Sequence, residues 1–551
     1  MTALAEAEAS TRTPIEGRRT PAWSTAAVRF AWVLIALGAL LRLRAYLHFR
    51  SLWIDESMLA LNITHRSAGG LLHPLSYAQA SPAGFLLSER FMVNVFGPGE
   101  YSLRFIPFAA SVTVLPLFFL LVRRLLGPRA GLIALGLMCF SSYLIYYGAE
   151  LKQYSTDCLV SVILLLVFAR ASRRQWDVRA VVFFALTGAV AIWCAHPAVF
   201  VVGAFSAFAV ISELVRRRYR SAALVAGGCV AWLASFAGSY ELSLRTTSGN
   251  TGLQGSWGNS YLPFPPHSLR DLVWPRHVLE LFRLLARPVY ATVDSLFQHA
   301  MIVVGIVLVL LVLRRRLRLG ILLCSPLVVM LVASAAHKYP FAPRLMTFYV
   351  PFIALITAVG LDELAALVLP GRTLAWRRTI GLVGLSALFA LPVIGAAAVA
   401  VHPSQTEEMR GVLRTLRPSL QQGIPIVVYP NALPAFIYYS ERMNLHTDLV
   451  GPREIGDVAV ANSGRPLVSD ASVSAVVDPA MGKSRIWLLV SHQICSRKES
   501  DGQLLLSAFA AKGAVVVSTL SAKGVAAYLL DTRSHEGHPV PAFAAIAPLA
   551  C

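Results

Sequence analysis

Asp55 and Glu56 stand side by side in "SLWIDES" (51–57), a few residues past the end of the first long apolar run. The chain holds only 29 acidic residues in 551, so adjacent carboxylates at a membrane boundary call for an explanation. One explanation is local, since carboxylates favour the first turn of a helix, where backbone N–H groups carry partial positive charge. The other is chemical. Partial burial beside a like charge raises one carboxyl pKa, which suits a general base. The same oxygens would also suit a divalent cation, Mg²⁺ or Mn²⁺, as ligands.

Two further stretches carry groups able to act with that pair. "YYGAELKQYSTD" (146–157) sets Glu150, Lys152, Tyr154 and Asp157 at the end of an apolar run, and "HKYPFAPRLMTFY" (337–349) offers His337, Lys338, Tyr339 and Arg344. A lysine at such a place can simply snorkel to the interface, and a basic loop can simply meet lipid headgroups. A Glu, a Lys and a Tyr within five residues exceed what snorkelling needs, and polar groups at a membrane mouth are functional candidates. Carboxylates in one loop and cations in two others suit transfer from a phosphate-linked donor to a hydroxyl. The attacking hydroxyl must lose a proton to a base. The departing lipid phosphate needs only cations, Lys or Arg, to hold its growing charge.

What must position these residues is a membrane bundle. The chain is 56% hydrophobic and 14% charged, with a mean hydropathy of +0.62, too apolar for a soluble protein of this size. A span takes roughly 20 apolar residues, and about eleven such runs occur, near 27–45, 102–122, 130–147, 157–171, 179–195, 197–215, 221–240, 297–313, 319–336, 346–369 and 379–401. His196-Pro197 is the sole divider of the run from 179 to 215. The net charge of +20 does not signal nucleic acid, because the basic residues fall in short clusters between apolar runs, from Arg123, Arg170, Arg216, Arg314 and Arg372. Such clusters mark cytoplasmic loops. With the N-terminus inside, all five fall on the cytoplasmic face, and everything after 402 lies outside.

The expected organisation is a disordered cytoplasmic tail (1–25), a transmembrane domain (26–401) and an extracytoplasmic α/β domain (402–551). The large outer loops are 46–101 and 241–296, the second rich in Trp, Pro and His. In the last domain "IPIVVY", "SRIWLLVS", "GAVVVSTL" and "VAAYLLDT" read as strands, and "TEEMRGVLRTL" and "QLLLSAFAA" as helices. No CxxC pair occurs. Cys139, Cys158, Cys194, Cys229 and Cys324 lie in or beside apolar runs, while Cys495 and Cys551 can pair if exported.

"SLWIDES", "SPAGFLL", "GPGEYSLRFIPFAAS", "YYGAELKQYSTD" and "YPNALPAFIYYS" together resemble the GT-C membrane glycosyltransferases. Among these, the sequence is most similar to the bacterial dolichyl-phosphate-mannose protein mannosyltransferase-like set (glycosyltransferase family 39). The resemblance is strongest over the N-terminal 160 residues and rests mainly on topology beyond them. It implies a polyprenyl-phosphate-linked sugar donor in a bacterial cytoplasmic membrane, to which the residues add an inverting displacement by a hydroxyl, one base and one cationic clamp being enough, at the outer face that the span count gives. Asp55 is then the catalytic base, and Glu56 a supporting carboxylate or metal ligand. Lys152, Arg344 and Lys338 become candidates for the donor phosphate, with Glu150, Tyr154, His337 and Tyr339 lining the substrate. The chain departs from the family pattern twice. "ASPAG" replaces a common His-Pro-Pro, so that histidine's role is lost or moved to His73, and "ELKQY" carries Lys where Arg is frequent. Lys keeps the charge without the bidentate fork.

The competing class is a carrier, either a lipid-linked sugar flippase or a secondary transporter. Transporters set ionisable residues near the midplane in broken helices, whereas the charges here collect at the ends of the runs. A scaffold that binds cell-wall polymer leaves Asp55, Glu56 and the "ELK" stretch unexplained.

Overall fold

The computed structural model describes residues 10–12, 19–173, 176–245, 257–266, 268, 271, 274, 276–285, 295–368, 390, 392–403, 405–445, 447–450, 470–494 and 500–533. Among these, seven helices are long and apolar enough to cross a membrane: Thr25–Leu47, Phe105–Leu125, Tyr154–Arg173, Ala198–Val215, Tyr219–Ser243, Leu317–Ala335 and Pro343–Leu367. Shorter apolar helices run over Pro128–Phe140, Val178–Cys194 and Pro392–Val401, and a further apolar helix spans Ser295–Arg315. The protein is thus a multi-pass membrane protein. The 179–215 run is two helices, broken at Ala195–Pro197. Several helices end in arginine, as at Arg123 and Arg124, Arg170 and Arg173, and Arg314 and Arg315. These cations complement the negative end of the helix dipole and anchor the helix at the interface. Large apolar side chains such as Leu40, Val190, Ile211 and Val332 stand exposed on the outer helix faces, as a lipid-facing surface requires.

The chain divides into two compact units, the first comprising Met1–His48, Ser81–Arg245 and Asn259–Pro403. Within it, helix Thr25–Leu47 lies close against Pro128–Phe140. A Cβ at Gly38 would come within 3.0 Å of Cys139 and of Leu115, so only glycine lets the backbones approach this far. Four residues on, Arg42 is 1% exposed and donates to three carbonyls, Gly38 O at 2.9 Å, Cys139 O at 3.0 Å and Met138 O at 2.9 Å. The last two belong to the end of Pro128–Phe140, where carbonyls lack intrahelical partners. A short helix, Ser142–Tyr147, follows that break, and the non-helical stretch 148–153 is buried before helix Tyr154–Arg173 begins.

The second unit comprises Phe49–Ala80, Thr246–Gly258 and Ser404–Cys551. Near the N-terminus, in the first unit, β1 (Ser10–Arg12) and β2 (Arg19–Pro21) form an antiparallel pair. The five-stranded sheet of the second unit contains β3 (Ile426–Val428), β4 (Leu449–Val450), β5 (Ile486–Ser491), β6 (Val515–Ala522) and β7 (Val525–Asp531), in the order β4-β3-β5-β7-β6. β3 is parallel to both β4 and β5, while β7 runs antiparallel to β5 and β6. β5 is buried along its whole length, matching its unbroken apolar run "IWLLVS". From β3 the chain leaves towards β4, and from β5 it leaves towards β6 and β7, so the sheet reverses direction between β3 and β5. The carboxyl ends of such a strand pair are where open α/β sheets receive ligands.

Candidate functional site

The carboxylates of "SLWIDES" lie in the first turn of helix Ile54–His65, within the second unit. Glu56 is fully buried, and its Oε2 accepts the Trp53 N–H over a long 3.4 Å, closing the start of the helix. Asp55, one residue earlier, is half-buried. The chain leading into this turn is fixed by C-terminal residues. The Leu52 N–H donates to the Tyr439 hydroxyl at 2.7 Å, and Ser51 Oγ bonds Glu408 Oε1 at 3.1 Å. Arg410 donates to the Phe49 carbonyl at 2.5 Å and stacks its guanidinium 4.0 Å from the Phe49 ring centroid. Helix Leu433–Arg442, which carries the end of "YPNALPAFIYYS", packs against Ile54–His65.

One further group faces the same turn. His492 follows β5 in the left-handed region at φ 49°, and its ring centroid is 6.0 Å from that of Trp53. Its Nδ1 lies 2.8 Å from Glu407 Oε1, with Glu407 only 3% exposed. Burial alone would lower the His492 pKa, but the hydrogen bond and charge of Glu407, with the charge of Asp55, raise it above the ordinary value. The Asn431 amide at the end of β3 donates to the His492 carbonyl at 3.2 Å, so the reversal point of the sheet presents this imidazole.

The first unit buries a polar run within an otherwise apolar interior. Glu150, Lys152, Gln153, Tyr154 and Asp157 are each 7% exposed or less. Gln153 Oε1 accepts from Ser81 Oγ at 3.2 Å. Tyr147 meets Tyr143, Tyr146 and Tyr154 edge-on with centroids 4.7, 5.1 and 4.9 Å away, an aromatic wall beside the run. Tyr339 joins the run. Its phenol is pushed well above the ordinary range by burial and then by Asp157 and Tyr154, so it stays a neutral hydrogen-bond donor. Arg344 and Glu150 both act electrostatically on Tyr143, which places them in one neighbourhood. His337 and Lys338 are exposed instead, His337 at φ 54° with its ring 4.9 Å from that of Tyr261. The buried run thus holds Glu150, Lys152 and Tyr154, with Tyr339 and Arg344 acting electrostatically on its residues or their neighbour Tyr143, while Lys338 and His337 are exposed.

Among the described residues, no group of three His, Cys, Asp or Glu side chains is placed to hold a metal ion. Glu56, turned inward onto the helix start, does not offer Asp55 a second exposed oxygen ligand. The Cys495–Cys551 pairing, the basic cluster from Arg372 and the first half of the 379–401 run lie outside the described residues. The sequence reading missed His492 and Glu407. An isolated His after an apolar strand and a Glu in "TEEM" carry no spacing signal, since only the folded sheet brings them to the "SLWIDES" turn.

Comparison with known proteins agrees with this architecture. Residues 80–239 match the family model of dolichyl-phosphate-mannose-protein mannosyltransferases. ArnT from Cupriavidus metallidurans, in the apo state, aligns over 92% of this chain and 98% of its own, at 14% identity and a TM-score of 0.53. The same protein bound to undecaprenyl phosphate aligns over 91% and 98%, at 13% identity and a TM-score of 0.50. The archaeal oligosaccharyltransferase AglB from Archaeoglobus fulgidus, in complex with an inhibitory peptide and a dolichol-phosphate, covers 94% of this chain and 75% of its own, at 12% identity and a TM-score of 0.52. No curated protein sequence matches. The chain therefore has the ArnT-like fold of the GT-C glycosyltransferases, a helical membrane bundle with a small C-terminal sheet domain, as the sequence resemblance implied.

Proposed function

We propose that the protein is a membrane glycosyltransferase that moves a sugar from a polyprenyl-phosphate-linked donor to a hydroxyl acceptor. The observation that carries this reading is the buried polar run from Glu150 to Asp157, which lies inside the matched stretch 80–239. Charged groups in the interior of a membrane bundle are costly and are kept for function. ArnT holding undecaprenyl phosphate and AglB holding dolichol-phosphate support the donor class.

In this reading the acceptor oxygen attacks the anomeric carbon as the bond from that carbon to the phosphate oxygen breaks. The hydroxyl proton passes to Asp55, the lipid phosphate leaves with the bonding pair, and the anomeric configuration inverts. Lys152 and Arg344 hold the charge that grows on the phosphate, Lys338 adds a cation at the surface, and Glu150, Tyr154, His337 and Tyr339 contact substrate. Glu56 supports the Asp55 turn. The arginine clusters favour an orientation that exposes the C-terminal domain and the reaction at the outer face of the bacterial cytoplasmic membrane. The sugar is a hexose or a pentose.

The test uses the protein in lipid nanodiscs with radiolabelled polyprenyl-phosphate sugars, comparing wild type with Asp55→Asn, with and without EDTA. Turnover lost in the variant while donor binding persists supports the assignment. Movement of lipid-linked sugar across the bilayer without turnover would replace it with a carrier.

A further inference from the structure

The C-terminal unit holds a histidine that the reaction above does not use. His492 sits at the carboxyl end of β5, at the reversal point of the sheet, where its backbone carbonyl is held by Asn431 and its Nδ1 by Glu407 at 2.8 Å. A non-glycine residue at φ 49° is an uncommon conformation, and such strain is retained where surrounding contacts fix it. The conformation here turns the ring towards Trp53, the residue capping the helix whose first turn carries Asp55. Glu407 is 3% exposed and its Oε2 has no hydrogen-bond partner, so a buried carboxylate is aimed at the imidazole and at little else. The histidine side chain, 38% exposed, keeps an open edge. Glu407 thus fixes which ring nitrogen carries the proton that faces it, and the ring it holds lies beside Trp53, two residues before Asp55.

We propose that His492, oriented by Glu407, is a positioning residue for the Asp55 carboxylate, so that the C-terminal unit takes part in the reaction. The proposal rests on the glycosyltransferase reading for its functional half only. Glu407 orients the ring, the ring orients Asp55, and Asp55 meets the acceptor hydroxyl. His492 itself touches neither sugar nor lipid phosphate in this scheme.

Two measurements test it. The first is a double-mutant cycle on the melting temperature of the detergent-solubilised full chain, with Asp55→Asn, His492→Asn and the pair. Coupling of the two residues makes the double variant depart from the sum of the singles by roughly 2 °C or more. Additive shifts overturn the proposal whatever the enzyme turns over. The second compares donor turnover by wild type, His492→Ala and His492→Asn, where the Asn amide keeps a hydrogen bond to Glu407 without the imidazole ring. We expect kcat to fall about 10²-fold in both variants with the donor KM unchanged, and added imidazole to restore part of it in His492→Ala. Wild-type turnover in His492→Asn would reduce the residue to a tie for Glu407 and overturn the proposal. A wild type that turns over no polyprenyl-phosphate sugar removes the glycosyltransferase reading, and with it the catalytic half of the proposal. The thermal cycle still decides the coupling of His492 to Asp55 in that case.

Discussion

The backbone N–H of Leu52 donates to the hydroxyl of Tyr439 across 2.7 Å, although 387 positions separate them. Leu52 is fully buried, so no water can replace that acceptor. Tyr439→Phe leaves the amide unsatisfied and is expected to cost about 1–3 kcal/mol of stability. Calorimetry of the full chain checks the stability. Turnover should fall with it, because the displaced segment leads directly into Asp55. An unchanged melting temperature would mean that the segment is held by other contacts.

Arg410 ties the same segment through the Phe49 carbonyl and ring. Arg410→Lys keeps the charge but loses the planar fork that lets one side chain do both. We expect Arg410→Lys to resemble Arg410→Ala in proteolytic susceptibility near residues 49–53, read by limited proteolysis. Protection at the wild-type level in the Lys variant would assign the tie to charge alone.

In the proposed reaction Lys152 and Arg344 hold the donor phosphate, so their loss should weaken donor binding as well as chemistry. Lys152→Met and Arg344→Met are each expected to raise the donor KM and to lower kcat, roughly tenfold or more in kcat/KM. Lys338→Met, on the exposed side, should change both far less. Equal effects from all three would point to a diffuse basic surface instead of a phosphate clamp.

His492 supplies a pH dependence. Its folded pKa is raised above its ordinary 6.5, chiefly by Glu407 against the opposing effect of burial. The folded state therefore binds this proton more tightly than the unfolded chain does. The resulting stability is fully present below pH 6.5 and is lost as pH rises through the raised folded value. Melting temperatures taken from about pH 6 to about pH 9 should fall in wild type and fall less in Glu407→Gln. A parallel decline in both proteins would place the titrating group elsewhere.

Much of the fold was legible because apolar run length and period are local properties. The four strands read after residue 402 and both flanking helices fall where the pattern set them, since "IWLLVS" and "AAYLLD" have no helical periodicity to compete with. β4, two residues long, has no pattern to read. The break at His196-Pro197 was visible because proline cannot donate the missing backbone bond. The site was legible only in part. "SLWIDES" and "YYGAELKQYSTD" carry charge where charge is scarce, which singles them out. That Phe49–Ala80 belongs to the same compact unit as the C-terminal sheet is a long-range fact, made by Tyr439, Glu408 and Arg410, none of which stands out in sequence. Glu56 shows the limit from the other side, since the adjacent carboxylates look equivalent in sequence, and only folding turns one onto the helix start and leaves the other half-exposed.

Arg42 bears on how the chain is made. Two of the three carbonyls that receive its guanidinium, those of Met138 and Cys139, lie 96 and 97 residues downstream. As the polypeptide emerges from the ribosome, helix Thr25–Leu47 exists before its partner has been synthesised, carrying a cation that is costly inside hydrocarbon. Until Pro128–Phe140 arrives, the insertion machinery or the headgroup layer must shelter that charge. The full set of acceptors for that guanidinium therefore exists only once the segment carrying Met138 and Cys139 has been made.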